Sequence, residues 1–410
     1  MPTTAPEWLL VLRALNWPAM MVFPVSRTII HICISLLLVL SQPVMAADSL
    51  TEAGRTAVID FLVDNAIAKN LISGGVVMIG NRDGILYSTA RGRLYPADNS
   101  PLFSVNTVFD VASLTKVVAT TPAVMKLLDE GRIGIMDPIS RWFPELHGTG
   151  REDITILNLL THTSGLNDID LGRAEPSRSA ILKAISRTKW QPPGSRFRYA
   201  DINFILLGEL VWRASGSRLD NYCRDNLFRP LLTHGTTFLP DVASSGSIAP
   251  TLDNNRMLVS GVVQDYNARL LGGVAGHAGL FSTARDLSRF ARLMLGRGEL
   301  DGQRIFSERV INQMTAPYFY SNGAVVRGLG WDIESPYSAP KGSFFSPMSF
   351  GHTGYSGTSI WIDPSRDLFV VLLTTRLNYS DNRSFRRLRS DISTLAAALF
   401  WKRPAGSDHP

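Results

Sequence analysis

The 410-residue chain holds only two cysteines, Cys33 and Cys223. Two thiols make no framework of covalent staples, so stability has to come from a buried core. No His-Glu-x-x-His, paired-cysteine or phosphate-loop pattern occurs, so no metal and no nucleotide cofactor is expected. Gly-x-Ser-x-Gly is absent too, which removes the strand–turn–helix nucleophile of the α/β-hydrolases. Charge is sparse: 19% of residues are charged and the net charge is +6, with Lys and Arg scattered rather than gathered into a stripe for nucleic acid. The one local cluster, Arg383-Arg386-Arg387-Arg389, lies on a helical pattern and reads as a solvated helix face, with contact to an anionic wall or membrane as the alternative. The apolar run "TIIHICISLLLVL" (28–40) has 13 residues, against roughly 20 for a membrane span.

That run reads instead as a secretory signal. Arg27 precedes it, "SQPVMA" follows, and cleavage is expected after Ala46. The protein is then exported, periplasmic or secreted, and touches a membrane only if the segment stays uncleaved as an anchor. Residues 1–19 are superfluous to such a signal, so Met20 or Met21 is a possible start. Cleavage removes Cys33 and leaves Cys223 alone, which excludes an intramolecular disulfide. Cys33 lacks the small residues that precede a lipidated cysteine, so no lipoprotein is expected.

With 45% hydrophobic residues the remainder is ordinary globular sequence, long enough for one large domain or two lobes. Residues 49–70 carry Val58, Phe61, Leu62, Ala66 and Ile67 at helical spacing. "GGVVMIG" and "ILYSTARG" read as two strands around Asn81-Arg82-Asp83-Gly84. From about 113 to 300 the pattern is mainly helical: "ITILNLLTHTSGL", "INFILLGELVWRAS" stopped by Gly216, and "RDLSRFARLML" opened by the capping-box spacing Thr283-Ala-Arg-Asp286 and ended by Gly296. Strands return after 325 ("GLGWDI", "TSIWIDP", "LFVVLLTT"). A last helix, about 383–402, carries Leu388, Ile392, Leu395, Ala396, Leu399 and Phe400 on one side. The fold class is thus α/β (α+β): an antiparallel sheet built from both chain ends and flanked by the terminal helices, beside an all-helical lobe, with a cleft between. The domain is expected to span 47–402, with a loose tail at 403–410.

"FDVASLTKVVAT" (109–120) places Ser113 and Lys116 one turn apart at the start of an apolar segment. A serine hydroxyl needs its proton taken before it attacks. In a first helical turn it gains from the dipole and from its own N–H, and a lysine at i+3 shares its face. The spacing alone is cheap, because Ser186–Lys189 and Ser338–Lys341 repeat it. Neither repeat opens a buried helix: the first runs into Trp190-Gln191-Pro192-Pro193, and the second contains Pro340. Pro122 is expected to kink the helix after Ser113. Two polar triplets follow, Tyr199-Ala200-Asp201 before a helix and His352-Thr353-Gly354 before a strand.

In this order the three motifs, with "ITILNLLTHTSGL", "GELVWRASG" and "GHAGLFSTARDLSRFARLML", resemble the serine β-lactamase and penicillin-binding family in its class C-like branch, over nearly the whole chain after the signal. The resemblance implies the β-lactamase/transpeptidase-like fold, no cofactor, and Ser113 as the acylated nucleophile. Lys116 would hold the serine's proton network, and Tyr199 would be the general base or acid. An ordinary phenol titrates at roughly 10, so Tyr199 would need Lys116 and a protonated His352 beside it. The N–H groups of Ser113 and Tyr355 would form the oxyanion hole. Gly354 would leave room for substrate on the strand edge, and Thr353 would bond a substrate carboxylate. His352 stands where class C β-lactamases carry lysine, and Asp201 where they usually carry asparagine. Both departures move D-alanyl-D-alanine peptide cleavage ahead of β-lactam hydrolysis, with a class C-like β-lactamase, a short-chain carboxylesterase and a penicillin-binding sensor of negligible turnover as alternatives. The partners implied are a small-molecule or peptide substrate, either cell-wall peptide or β-lactam, with no nucleic acid, and the protein is expected to be a monomer. His162 and His277 read as loop-fixing side chains rather than members of a triad or metal site, and His147, His234 and His409 carry no signal.

Overall fold

Helix α1 (Glu52–Ala68) leads into a hairpin of β1 (Ile72–Gly80) and β2 (Ile85–Gly92). Asn81 closes the turn, its Oδ1 accepting from the N–H groups of Asp83 and Gly84 at 3.0 Å each. The short strand β3 (Phe109–Asp110) opens the middle of the chain. There follow α2 (Thr121–Asp129), α3 (Ile156–Leu160), α4 (Asp201–Ser215), β4 (Thr237–Phe238), β5 (Leu280–Ser282) and α5 (Ala284–Leu295). Beyond α6 (Glu308–Thr315) come β6 (Tyr318–Tyr320), β7 (Val325–Arg327), β8 (Asp332–Glu334), β9 (Phe350–Thr353), β10 (Ser359–Asp363) and β11 (Leu368–Arg376), then α7 (Asn382–Phe400). The computed structural model describes residues 52–169, 171, 185, 189–243, 247–253 and 255–401. The segment read as an export signal, Ser186 and the tail lie outside the described residues. The chain divides into Met1–Ala53 and Gly54–Pro410, and the sheet and the helical lobe belong to the second unit.

The main sheet runs β6-β7-β8-β9-β10-β11-β1-β2, antiparallel throughout. Its two chain ends meet where β1 pairs with β11, Val76 opposite Leu373 and Met78 opposite Val371. Successive side chains of a strand point to opposite faces. Val76 and Met78 of β1, Ile360 and Ile362 of β10 and Phe369, Val371 and Leu373 of β11 enter the core shared with the helical lobe. Val77, Ile79, Trp361, Leu368, Val370 and Leu372 enter a second core under α1 and α7. Both faces are covered, which is why β1 and β11 are buried along their whole lengths.

Phe385, Leu388, Ile392 and Ala396 of α7 recur at helical spacing against that second core. On α1 the buried stripe is Ile59, Val63 and Ala66, while Val58 is 46% and Phe61 66% exposed. The helix is therefore rotated from the expected face: the adjacent apolar residues Val58-Ile59 and Phe61-Leu62-Val63 fit two registers, and the sheet selects one. The helical lobe also holds a small sheet of order β3-β5-β4. Helix α3 spans only five residues, ending short of the stop expected at Ser164-Gly165. Thr155 caps it in a capping box with Asn158, and at its end Thr161 Oγ1 bonds back to Leu157 O at 2.8 Å and touches Thr163 Oγ1. Short hydroxyl side chains compete in this way with the helix ladder. Helix α4 ends as expected at Gly216, whose φ of +77° favours glycine, and Thr283 caps α5 by accepting from Asp286 N–H.

The rotation of α1 is testable by thermal and chemical denaturation. Ile59→Ala should cost about 2–5 kcal/mol, and Phe61→Ala should stay within about 0.5 kcal/mol. The reverse order would put α1 on the wrong face.

Candidate active site

The segment that presents Ser113 is set by strand β3. Phe109 and Asp110 pair with Ser282 and Phe281 of β5, and Val111 N–H continues the ladder to Leu280 O at 3.0 Å. The buried Asp110 carboxylate then takes Ala112 N–H at 2.8 Å and Gln264 N–H at 2.7 Å. Burial, only partly offset by these two bonds, pushes its pKa up to about 6. Ala112 sits in the left-handed region at φ +48°, a strain of about 1–3 kcal/mol for a residue with a Cβ. Asp110 grips its N–H, and Thr115 Oγ1 donates to its carbonyl at 2.6 Å.

Ser113 lies in a 3₁₀ turn (Ala112–Leu114), and Lys116–Thr120 form a π turn before α2 begins. The regular helix expected here is thus replaced, as is the kink at Pro122. Pro122 lies in the first turn of α2, where its missing N–H costs nothing. The backbone slack is taken by the π turn, in which Thr121 N–H reaches back five residues to Lys116 O.

Lys116 is fully buried. Its ammonium lies 3.1 Å from Ser113 Oγ, 3.0 Å from His277 O and 2.7 Å from Asp201 Oδ1. Burial opposes the charge, but the Asp201 carboxylate and the Tyr199 phenol outweigh it and raise the Lys116 pKa above its ordinary value. Asp201 is lowered correspondingly, Lys116 overcoming its burial. The Tyr199 ring stands 5.2 Å from Lys116 Nζ, and Ser113 and Lys116 both act on its hydroxyl to favour the ionised form. Burial and the Asp201 charge still hold its pKa above 10, against the pull of Lys116. The resting Tyr199 is a neutral phenol, which corrects the expectation of a cation-lowered base.

The second cation invoked for that purpose is also missing. Burial, with Arg327 and Lys116 nearby, lowers His352 well below the usual histidine range, so its imidazole is neutral. Its Nδ1 lies 2.9 Å from Thr353 O. A carbonyl only accepts, so Nδ1 carries the hydrogen and Nε2 is an acceptor. The fixed charge beside it is Arg327 on β7, buried and paired at 3.1 Å with Asp332. Nothing in the residue order pointed to Arg327.

His352 and Thr353 end β9, a strand of its own, and Gly354 opens a tight turn in which Gly357 N–H bonds Gly354 O. The turn is tied to the nucleophile's segment: Ser356 Oγ donates to Asp110 O at 2.7 Å and Thr358 Oγ1 to Val111 O at 3.0 Å. A Cβ at Gly354 would lie 2.5 Å from Val111 O. Glycine is required by this backbone approach, not to leave room for substrate as expected. Tyr355 N–H has no protein acceptor among the described residues, and its ring, 64% exposed, packs at 4.8 Å on Tyr379. Arg389, expected on a solvated face, is buried and donates from Nη2 to Gly354 O and Thr358 O, both at 2.7 Å. The signal that could have found it is its place on α7, four residues after the buried Phe385.

A cleft of about 800 Å³ joins Ser113, Tyr199, Asp201, His352, Thr353, Gly354 and Tyr355, so the structure brings the three motifs together. It also admits Arg327, Arg376, Arg386 and Arg389 on one hand, and Asp265 and Asp332 on the other. The Ser338–Lys341 repeat stays outside this chemistry, because Lys341 bonds Glu334 at 2.5 Å and Ile333 O at 3.1 Å. His162 fixes the second motif: its Nδ1 accepts from Ala200 N–H at 3.3 Å, and its ring stacks on Tyr199 at 4.5 Å. His277 Nε2 bonds Asp265 Oδ1 at 2.8 Å. Asp201, Asp265 and His277 group their donor atoms within 4.8 Å of one another, with the Lys116 ammonium already supplying positive charge at Asp201.

The family model described as Beta-lactamase matches residues 59–392. Over 308 residues the chain is 30% identical to the "Putative D-alanyl-D-alanine carboxypeptidase" of Salmonella agona, covering 67% of this chain and 71% of that one. The protein of the same name from Salmonella enteritidis matches at 30% over 306 residues, 67% of this chain and 70% of that one. Among solved structures, a class C beta-lactamase superposes with TM-score 0.70 at 19% identity, covering 87% of this chain and 99% of that one. A beta-lactamase/D-alanine carboxypeptidase from Pseudomonas syringae gives 0.67 at 20%, with 82% and 98% covered. At these identities the structural likeness is one of fold.

The carboxylates predict the acid limb of stability. Burial would raise Asp265, but the His277 hydrogen bond and charge, the Ala268 N–H and the Lys116 charge together outweigh it and hold its pKa at about 2. A lowered carboxyl stabilises the fold above its unfolded value near 4, and that contribution is lost as pH falls through about 2. Urea midpoints should drop between these values, and Asp265→Asn should flatten the drop by at most about 2 kcal/mol. An unchanged slope would remove Asp265 from the account.

Proposed function

Because this chain belongs to the Beta-lactamase family of serine hydrolases, we propose that it works through an acyl-enzyme on Ser113 and cleaves the D-alanyl-D-alanine end of cell-wall peptides. The observation that carries the reading is the buried Lys116 ammonium between Ser113 Oγ and Asp201 Oδ1. A charge held this way stabilises the serine oxygen as its proton leaves.

The proton's route follows from the ionisation states. With Tyr199 neutral and Lys116 charged, neither waits as a free base. Tyr199 acts as a relay: its oxygen takes the Ser113 proton while its own hydrogen passes to the leaving nitrogen. Ser113 Oγ bonds the carbonyl carbon, the C–N bond breaks, and free D-alanine departs. Water then attacks the ester, giving its proton through the same phenol as Ser113 Oγ is released. The N–H groups of Ser113 and Tyr355 receive the carbonyl oxygen's charge.

Three observations support a peptide with a free carboxylate as substrate. The curated relatives carry the name of a D-alanyl-D-alanine carboxypeptidase. Lys116 and Arg327 pair with Asp201 and Asp332, while among the described residues Arg376, Arg386 and Arg389 meet no carboxylate at ion-pair distance, so the cleft favours an anion. Thr353 ends β9 at the cleft that Arg327 and His352 also line, where its hydroxyl can bond the terminal carboxylate. The signal sequence read at residues 27–46 agrees with export to where such peptides occur.

The test incubates the protein with fluorescent penicillin, a chromogenic cephalosporin and a D-Ala-D-Ala tripeptide, with Ser113→Ala as control. Stable labelling plus D-alanine release, both lost in Ser113→Ala, is the expected result. Fast cephalosporin turnover would instead make it a β-lactamase, labelling alone a sensor, and ester cleavage alone an esterase. Hydrolysis of any of these that survives Ser113→Ala would overturn the nucleophile.

A further inference from the structure

The Tyr355 N–H assigned to the oxyanion hole and the Gly354 carbonyl are the two ends of one peptide unit. That carbonyl accepts from Arg389 Nη2 at 2.7 Å, and Thr358 O accepts both the same nitrogen and Gly354 N–H, each at 2.7 Å. Arg389 thus spans the two sides of the turn that carries Tyr355. Its guanidinium stacks 4.5 Å from the Phe385 ring, which it shares with Arg376 at 4.4 Å. No carboxylate stands at ion-pair distance among the described residues, and Nε has no partner. Burial next to Arg376 pushes the pKa down to about 9. A buried charge without a counter-ion is costly, and an apolar residue would fill this helix position at less expense. What Arg389 does there that an apolar side chain could not do is bond the two carbonyls.

We infer that Arg389 is a positioning residue for the oxyanion hole: it fixes the Gly354–Tyr355 peptide plane and, by bonding its carbonyl, makes the Tyr355 N–H a stronger donor. A hydrogen bond to an amide carbonyl draws electron density from the nitrogen, and linked bonds polarise one another by roughly 10–30% each. A donor held in place before the reaction needs no reorganisation when negative charge appears. The effect grows with the charge on the substrate oxygen, so it acts on the tetrahedral intermediate more than on bound substrate. The inference rests on Ser113 as the acylated group.

The test resolves acylation by fluorescent penicillin into its rate constant and its binding constant in wild type, Arg389→Met and Arg389→Lys. The dissociation constant of phenylboronic acid, which forms a tetrahedral anion on a serine, is measured alongside, with circular dichroism and the melting midpoint as checks on folding. Removing an oxyanion donor outright costs roughly 10²–10³ in rate, and weakening one should cost less. Arg389→Met should lower the acylation rate constant about tenfold, weaken the boronate by a similar factor and leave substrate binding within about twofold. Arg389→Lys should recover part of both losses, because an ammonium can still donate to Gly354 O. A folded Arg389→Met that keeps its rate constant and boronate affinity, or loses only substrate binding, overturns the inference. If Arg389→Met does not fold, Arg389→Lys decides: a loss shared by rate and boronate supports the inference, and unchanged values overturn it. Wild-type protein that neither labels nor binds the boronate overturns the Ser113 reading itself, and this inference with it.

Discussion

One buried charge organises this molecule. The Lys116 ammonium has no solvent to turn to, so its hydrogen bonds and its counter-ion must come from the chain. They come from three separate stretches: Ser113 one turn before it, Asp201 at the start of α4, and the His277 carbonyl in the loop before β5. Losing one partner of such a buried pair costs several kcal/mol, because the other charge is left stranded. Neighbouring bonds lock the same stretches: Thr120 Oγ1 to Gly276 O at 2.7 Å, and Leu280 N–H to Thr115 Oγ1 at 3.1 Å. The constraint that satisfies the ammonium also fixes the serine.

The electrostatic character of the cleft follows from what surrounds that pair. Tyr199 stays neutral because burial and the Asp201 charge outweigh the pull of Lys116, and His352 because burial and the Arg327 and Lys116 charges oppose its ionised form. Permanent charge is left to guanidinium groups, which stay protonated at neutral pH. Arg327 reaches the cleft from β7 of the sheet and Arg389 from the last helix, so both structural layers contribute to one site. The strained Ala112 and the π turn at Lys116–Thr120 are the backbone irregularities on either side of the Ser113–Lys116 contact.

Much of this could be read in the residue order, and the part that could not has a common cause. Val76 to Ile79 and Leu368 to Leu373 look like strands because their composition does, and a sheet built from both chain ends follows from where those runs lie. Ser113, Lys116, Tyr199 and Asp201 are recognisable because each sits in a short pattern whose order along the chain matters more than any single spacing. Arg389 is different: its partners lie 31 and 35 residues away, so its spacing from Phe385 marks a buried face but not the carbonyls it bonds. Gly354 was identified, but its reason was not, since the atom that excludes a Cβ belongs to Val111. Phe61 misled for the converse reason, as a strongly apolar side chain at a position the sheet leaves outside.

The central claim is that Lys116 stays protonated beside Ser113 and that no free amine waits as the base. Seven lysines in the chain make the measurement tractable: lysine labelled with ¹³C at Cε, followed by NMR across pH, with Lys116→Arg identifying the resonance. The account predicts a Lys116 signal at the ammonium position with no titration below about pH 10, since the ordinary lysine value is roughly 10.4 and Asp201 raises it. A Lys116 resonance that titrates between about pH 6 and 8, in the range of a desolvated catalytic amine, would contradict it.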